Sequence, residues 1–214
     1  MYKLIVLPLI LAFDFGASLH AQAMDKNHRV IEVSRELDAP AERVWEALVL
    51  DYGEISNFSP FIFASEYRTG SLKGELGAER VCQLDAKGKK ISHERIAEID
   101  HDAMRMKNQI VSVEGLPLDP DNSYAIYSVE DFGDGRSRAG YTFYMRTKPG
   151  FMGGIAAGSF EQSLNETLIG LEHYLATGER VTGGSDNADL VLEAAKADGS
   201  YADYSSLIRK VRRR

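Results

Sequence analysis

The residues best suited to chemistry stand together in one short segment, His93-Glu94-Arg95, inside a run of strand-forming residues. Successive side chains of a strand point to opposite faces, so one of Glu94 and Arg95 faces the interior and the other faces solvent. A charged group in the interior needs a partner or a polar ligand group. Both residues are therefore candidate ligand anchors, and a surface ion pair is the alternative for each.

Proton transfer is a second chemistry that this segment could support. An enzyme that orients a flexible chain in a pocket needs one or two groups for general acid–base work. Glu94 and Arg95, together with His93, Tyr127 and Tyr141, are the candidates for that role. The sequence assigns a catalytic role to none of them. Two or more ionisable groups that converge inside one cavity would favour an enzyme over a carrier.

The sequence predicts no metal centre and no cofactor. The five histidines have no partner at a metal-ligand spacing. The single cysteine, Cys82, cannot build a multi-thiolate zinc site, and its place in a strand-like run favours a buried thiol. The chain contains no G-x-S-x-G elbow, no P-loop and no dinucleotide-binding fingerprint.

Alternating apolar and aromatic residues on several predicted strands could line an internal pocket. Met106 and Asn108 share one face of a strand, as do Tyr141 and Phe143. Tyr124 and Tyr127, which lie on a neighbouring strand, are further candidate lining residues. Methionine and aromatic side chains with a few polar groups are typical of a largely apolar pocket. Periodicity alone does not separate a pocket from an ordinary core, which is the alternative.

These residues must be positioned by a run of antiparallel strands and a closing helix. A first strand at 29–37 is followed by Asp38-Ala39-Pro40, which opens two short helices at 41–50 and 51–58. Turns rich in glycine or aspartate separate most of the next six strands, which are predicted at 62–69, 78–84, 89–99, 103–113, 123–132 and 138–147. Apolar residues at helical spacing predict a long helix over 160–175. This order indicates an α+β domain rather than alternating βαβ units.

Four ordered motifs resemble the START-like (SRPBCC) superfamily of polyketide cyclase/dehydrase and lipid-transport proteins. They are Leu37-Asp38-Ala39-Pro40-Ala41-Glu42-Arg43-Val44-Trp45, Phe58-Ser59-Pro60, Glu94-Arg95-Ile96 with Asp100, and Leu116-Pro117 with Tyr124. The resemblance implies a helix-grip fold, in which a curved antiparallel sheet of about seven strands wraps around the long C-terminal helix. It also implies a cavity between sheet and helix, to which we add Phe160 and Leu164 as candidate lining residues.

The resemblance implies a protein that binds, transports or sequesters a small hydrophobic ligand such as a lipid or a polyketide. We favour this hypothesis because the sequence shows no recognisable arrangement of catalytic residues. The alternative is an enzyme of the cyclase/dehydrase type that uses acid–base residues in the same cavity. This superfold hosts several unrelated functions, so the resemblance is stronger for fold than for activity.

Composition and charge set the expectations for partners. The chain has 214 residues and a net charge of -7, which makes it a poor partner for nucleic acid. Five of the last six residues are basic. This terminus would either make weak contact with anionic lipid head groups at a membrane surface or remain solvated.

The chain divides into three predicted parts. Residues 1–23 resemble a secretory signal peptide, with a basic Lys3, an apolar run and the small-residue cleavage signal Ala21-Gln22-Ala23. The protein would then be periplasmic or secreted, whereas a true start at Met24 is the alternative. Residues 24–178 form the START-like domain, and residues 179–214 form an extension that is partly helical or disordered.

Overall fold

The computed structural model describes residues 28–210, which form an α+β domain. The chain begins with β1 (Arg29–Leu37) and α1 (Ala41–Trp45), and α1 continues as a π-helical turn (Glu46–Leu50) and a 3-10 helix (Tyr52–Asn57). The strands that follow are β2 (Ala64–Tyr67), β3 (Glu79–Gln83), β4 (Ile91–Asp100), β5 (Arg105–Glu114), β6 (Tyr124–Asp131) and β7 (Ser137–Met145). The C-terminal elements are α2 (Gly153–Thr177), α3 (Asp186–Asp198) and β8 (Ser205–Lys210).

The strands form one antiparallel sheet in the order β2-β3-β4-β5-β6-β7-β1-β8. Strands β2 to β7 follow one another as a meander, and β1 closes the row beside β7. Strict alternation of buried and half-buried residues along β7 places Ala139, Tyr141, Phe143 and Met145 on the inner face. Helix α2 packs on that face, which confirms the predicted helix-grip fold.

Helix α2 buries one side against the sheet, as its sequence pattern predicts. Leu168 and Leu171 are fully buried, and Phe160 and Leu164 pack against the same core at the N-terminal half of the helix. The helix begins seven residues earlier than the predicted residue 160, because the glycine-rich segment joins it. It ends at Thr177 and is followed by Gly178, whose φ of 76° is left-handed and therefore suits glycine.

Gly170 allows α2 to approach the turn that follows the short helices. A Cβ atom at this position would clash with the carbonyl oxygen of Phe58 and would lie 3.2 Å from Cδ of Pro60. Gly158 lies on the same helix, and a Cβ atom there would meet no heavy atom within 4 Å. The two glycines therefore differ in what surrounds them but share the same secondary structure.

We expect Gly170→Ala and Gly158→Ala to change stability in opposite directions. Alanine is the better helix former by about 1 kcal/mol, so Gly158→Ala should stabilise the protein. Gly170→Ala should destabilise it by about 1–3 kcal/mol, because overpacking outweighs that gain. Urea unfolding of both variants measures the difference. Equal stabilisation by the two substitutions would show that α2 does not approach Phe58 this closely.

The C-terminal extension is more ordered than the sequence predicts. Helix α3 accounts for the expected helical part, but β8 adds an eighth strand, paired with β1, to the predicted seven. The alternation of apolar and polar residues could not reveal β8, because all six of its residues are exposed. Buried Arg35 holds the extension in place by donating hydrogen bonds to Glu172 of α2 (2.7 Å) and to the carbonyl oxygen of Ser200 (2.9 Å).

Two sequence expectations concern the chain ends. The predicted signal peptide at 1–23 lies outside the described residues, as do residues 211–214 of the basic terminus. Arg209, which is described, forms an ion pair with Glu32 of β1 at 2.5 Å. Within 28–210, none of the helices combines the length and the apolar character needed to cross a membrane.

Candidate functional site

A cavity of about 90 Å³ lies between the concave face of the sheet and the N-terminal half of α2. Strands β3 to β7, the segment after the 3-10 helix and the loop at Leu116–Leu118 complete its wall. Most of the wall is apolar. The apolar lining residues are Ile55, Phe61, Ile62, Leu84, Ile110, Leu116, Leu118, Ala125, Phe143, Phe160 and Leu164, and two tyrosines, Tyr127 and Tyr141, add their rings.

A buried ion pair between Glu94 and Arg80 forms the polar part of the wall. Oε2 of Glu94 accepts hydrogen bonds from Nη2 (2.6 Å) and Nε (2.9 Å) of Arg80 and from Nδ2 of Asn108 (2.9 Å). Oε1 of Glu94 accepts a hydrogen bond from Ser92 at 2.7 Å. Both carboxylate oxygens are thus bonded within the protein, as a buried charge requires.

The guanidinium of Arg80 is buried and makes further contacts beyond Glu94. Its side chain is 1% exposed, and Nη1 donates to the carbonyl oxygen of Tyr52 at 2.9 Å. Nη2 also donates to the hydroxyl of Tyr127 at 2.8 Å. The guanidinium lies 4.1 Å from the centre of the Tyr52 ring, which adds a cation–π contact. The hydroxyl of Tyr52 in turn donates to Oδ1 of Asn108, which closes the network.

The charge states of this network follow from its contacts. Burial acts to raise the pKa of Glu94, but the Arg80 charge and the hydrogen bonds from Ser92, Arg80 and Asn108 outweigh it and hold that pKa below its ordinary value. Burial raises the pKa of Tyr127 to about 12 and also raises the pKa of Tyr141. None of the ionisable side chains that line the cavity in the described chain therefore changes its charge near neutral pH.

Seven of the ten predicted cavity residues lie on this wall. They are Glu94, Asn108, Tyr127, Tyr141, Phe143, Phe160 and Leu164. The structure also decides between the two adjacent charged residues, because Glu94 is buried on the concave face and Arg95 is exposed. That these residues bind a ligand stays a prediction.

The other three predicted cavity residues lie elsewhere. Arg95 points away from the cavity because it neighbours the inward-facing Glu94. Tyr124 belongs to the outer face, where its ring stacks on Tyr144 at 4.6 Å, since it is an odd number of residues from Tyr127. Met106 is 1% exposed and faces the core without lining the cavity.

His93 also lies outside the cavity, so it cannot act there as an acid or a base. Its Nε2 atom is 3.1 Å from the Glu79 carboxylate on the outer side of the sheet. Within residues 28–210, the acidic, histidine and cysteine side chains do not gather into a group that could hold a metal ion.

Sequence reasoning missed Arg80, Ser92 and Tyr52. A signal for two of them was present, because Arg80 shares strand parity with the buried Cys82, and Ser92 shares it with Glu94. Tyr52 comes from a 3-10 helix, and its contact with Arg80 depends on how that helix packs against β3. Strand periodicity therefore carried no information about Tyr52.

The thiol of Cys82 should resist alkylation in the folded protein. Cys82 is fully buried, and burial raises the pKa of its thiol to about 12. Thiolate is the reactive form of cysteine. At about pH 8, the ionised fraction of the Cys82 thiol in the folded protein is lower than that of an ordinary cysteine by a factor on the order of a thousand. We expect no iodoacetamide labelling by mass spectrometry until guanidinium unfolds the chain. Rapid labelling of the native protein would contradict this burial.

A family described as polyketide cyclase/dehydrase and lipid transport matches residues 28–176. The chain belongs to this family. The match spans the sheet from β1 to β7 and nearly all of α2, which together hold the cavity. Membership in the polyketide cyclase/dehydrase and lipid transport family supports the binding of hydrophobic ligands in general.

Solved structures with low sequence identity share the fold of this chain. The protein XoxI from Bacillus cereus is 15% identical, with a TM-score of 0.56 over 69% of this chain and 96% of its own. A Thermobifida fusca protein is 22% identical, with a TM-score of 0.54 over 68% of this chain and 92% of its own. Ara h 8.0201 is 18% identical, with a TM-score of 0.56 over 70% of this chain and 99% of its own. At these identities the likeness concerns the fold alone, and no curated protein matches the chain.

Proposed function

We propose that this protein binds a small, predominantly apolar molecule in the cavity between the sheet and α2, as a carrier or sequestering protein. The observation that supports this most strongly is the composition of the wall, which is mostly apolar and whose only charged side chains among the described residues form one internally satisfied ion pair. Binding of an apolar molecule against such a wall is favourable, because it removes apolar surface from water. A lipid or a polyketide fragment is the class of ligand that fits this chemistry.

A cyclase/dehydrase activity is the second candidate, and the charge states argue against it. General acid–base catalysis works best when the pKa of the catalytic group lies near the working pH. The pKa of Glu94 is lowered, the pKa of Tyr127 is about 12, and Arg80 is held by four hydrogen bonds. These groups suit a fixed polar wall better than proton transfer.

The size of the cavity limits what it can hold without rearrangement. A benzene-binding protein cavity has a volume of about 150 Å³, and typical ligand pockets have about 300–1,000 Å³. The cavity here has about 90 Å³, so a lipid-sized ligand requires it to widen. We propose that the start of α2 moves, because it contains Gly153, Gly154 and Gly158. Ile155 within it and Phe151 just before it are both exposed.

Native mass spectrometry and solvent extraction test the proposal. Protein purified from its own host should carry a bound apolar molecule that organic solvent releases and that mass spectrometry detects. The control is a variant with a filled cavity, Ala125→Phe, which should carry none. Repeated recovery of empty protein, together with no uptake of any offered apolar compound, would contradict the proposal.

We also propose that the protein acts outside the cytoplasm, on the pattern of residues 1–23. Fractionation of the host cells and mass determination of the N-terminus test this. Mature protein that begins near Met24 in the periplasm or medium would support export, and full-length protein in the cytoplasm would contradict it.

We propose separately that the basic C-terminus makes weak contact with anionic vesicles. Unchanged vesicle binding after removal of residues 211–214 would contradict this proposal.

A further inference from the structure

The hydroxyl of Tyr141 is a buried polar group that has no hydrogen-bond partner among residues 28–210. Tyr141 lines the cavity and is 2% exposed, and its hydroxyl makes no hydrogen bond within the described part of the chain. Its ring meets the Tyr127 ring edge-on at 4.7 Å, which fixes its orientation. Buried hydroxyls are almost always hydrogen-bonded, so a ligand atom is a natural partner for the hydroxyl of a residue that lines a cavity.

The other polar side chains on the wall have partners already. Ser59 and Thr167 bond to each other at 2.8 Å, and Ser163 donates to a backbone carbonyl oxygen of α2 at 2.9 Å. Ser92, Glu94, Asn108, Arg80 and Tyr127 belong to the network described above. Among the described lining residues, Tyr141 alone offers a hydroxyl with both its donor and its acceptor capacity unused.

The electrostatics of the wall select against a charged ligand. Arg80 is the only cationic side chain among the described lining residues, and the Glu94 carboxylate 2.6 Å away neutralises it. A ligand carboxylate would enter this cavity without a cation to compensate the loss of its hydration. A ligand ammonium group would likewise meet a carboxylate whose two oxygens are already bonded.

We propose that the ligand is an uncharged molecule with an apolar body and one hydroxyl, carbonyl or amide group that hydrogen-bonds to the hydroxyl of Tyr141. This inference rests on the proposed function and narrows its ligand class. Free fatty acids and other anions at neutral pH are excluded from the class, whereas phenols, alcohols and ketones are included. The apolar wall provides affinity, and Tyr141 selects the position of the polar group.

Three single-ring probes separate these properties, because they share one apolar ring and differ in the group attached to it. Toluene has no polar group, phenol has one neutral hydroxyl, and benzoate has a carboxylate. Their dissociation constants are measured by NMR titration of the full chain at neutral pH. The variants are Tyr141→Phe and a matched control, Tyr144→Phe, which removes a hydroxyl from the outer face of the same strand.

We expect Tyr141→Phe to weaken phenol binding by roughly 3- to 10-fold, the effect of one hydrogen bond, and to leave toluene binding unchanged. Tyr144→Phe should change neither, and benzoate should bind at least about 10-fold more weakly than phenol to every variant. Equal loss of phenol and toluene binding, or no change in phenol binding, would overturn the inference while leaving the proposed function intact. If none of the probes binds the wild-type chain, it is the proposed function that fails.

The stability of Tyr141→Phe gives a readout that needs no ligand. A hydroxyl without a partner contributes nothing favourable when buried, so its removal should leave the unfolding midpoint of the empty protein unchanged or raise it. A clear fall in that midpoint would show that the hydroxyl is already satisfied in the empty protein, by an enclosed water for example. That result would overturn the inference even if the probes bind.

Discussion

Replacing Glu94 by alanine is expected to destabilise the protein by about 3–5 kcal/mol, because it leaves the guanidinium of Arg80 buried without a counter-charge. Both partners are almost fully buried, with side-chain exposures of 1% for Arg80 and 11% for Glu94. The substitution also removes an acceptor from Ser92 and Asn108. Denaturant unfolding of wild type and variant measures the loss.

Two further variants isolate the cause of this effect. The double variant Arg80→Met with Glu94→Leu should recover much of the lost stability, because an apolar pair removes both desolvation costs. Glu98 lies on the same strand as Glu94, and Glu98→Ala breaks a surface ion pair with Lys107 of β5, which should cost less than about 1 kcal/mol. A Glu94→Ala effect no larger than that of Glu98→Ala would contradict a buried pair.

The same ion pair predicts a dependence of stability on pH. The pKa of Glu94 is lower in the folded chain than in the unfolded chain, where the pKa of a glutamate is about 4.3. Its contribution is therefore fully present above that unfolded pKa and is lost as the pH falls through the folded pKa. The stability difference between wild type and Glu94→Ala should be constant near neutrality and shrink below about pH 4.

Filling the cavity is expected to abolish ligand binding while the protein still folds. Ala125 lies on the wall and is buried, so Ala125→Phe places a ring in a space of about 90 Å³. We expect toluene binding to weaken by at least about 10-fold, with a cost in stability of about 1–3 kcal/mol from overpacking. The dissociation constant of toluene, measured by NMR titration, is the test.

The neighbouring residue on the same strand supplies the control. Ile126 faces the outer side of the sheet, so Ile126→Phe adds a ring without entering the cavity. It should leave toluene binding within about twofold of wild type, which is well under 1 kcal/mol. Equal binding by Ala125→Phe and wild type would place the bound toluene outside this cavity.

The fold was largely predictable because its signals are local. The breaker at Asp38-Ala39-Pro40, the alternation along β7 and the helical face of α2 each follow from sequence spacing. Strand β8 was not predictable in this way. Its residues are exposed, and it is held by backbone pairing with β1, while Arg35 bonds to the segment just before it across more than a hundred residues of chain.

The cavity was predictable in part, for the same reason. Parity along β7 correctly grouped Tyr141 with Phe143 on the inner face. Parity alone does not say which face of β6 is the inner one, so Tyr124 and Tyr127 were both candidates and the structure places only Tyr127 on the wall. The pairing of Glu94 with Arg80 depends on the register of β3 with β4, in which these two residues are direct partners. Register is a property of the assembled sheet and not of either strand.

The central claim is that an apolar molecule occupies the space between the sheet and α2. The most direct measurement is the set of intermolecular nuclear Overhauser effects between bound toluene and the methyl groups of the labelled full chain. We predict contacts from toluene to Ala125, Ile110 and Leu164, which line the cavity on three different elements. Contacts confined to exposed groups such as Ile155, or no contacts at saturating toluene, would contradict the claim.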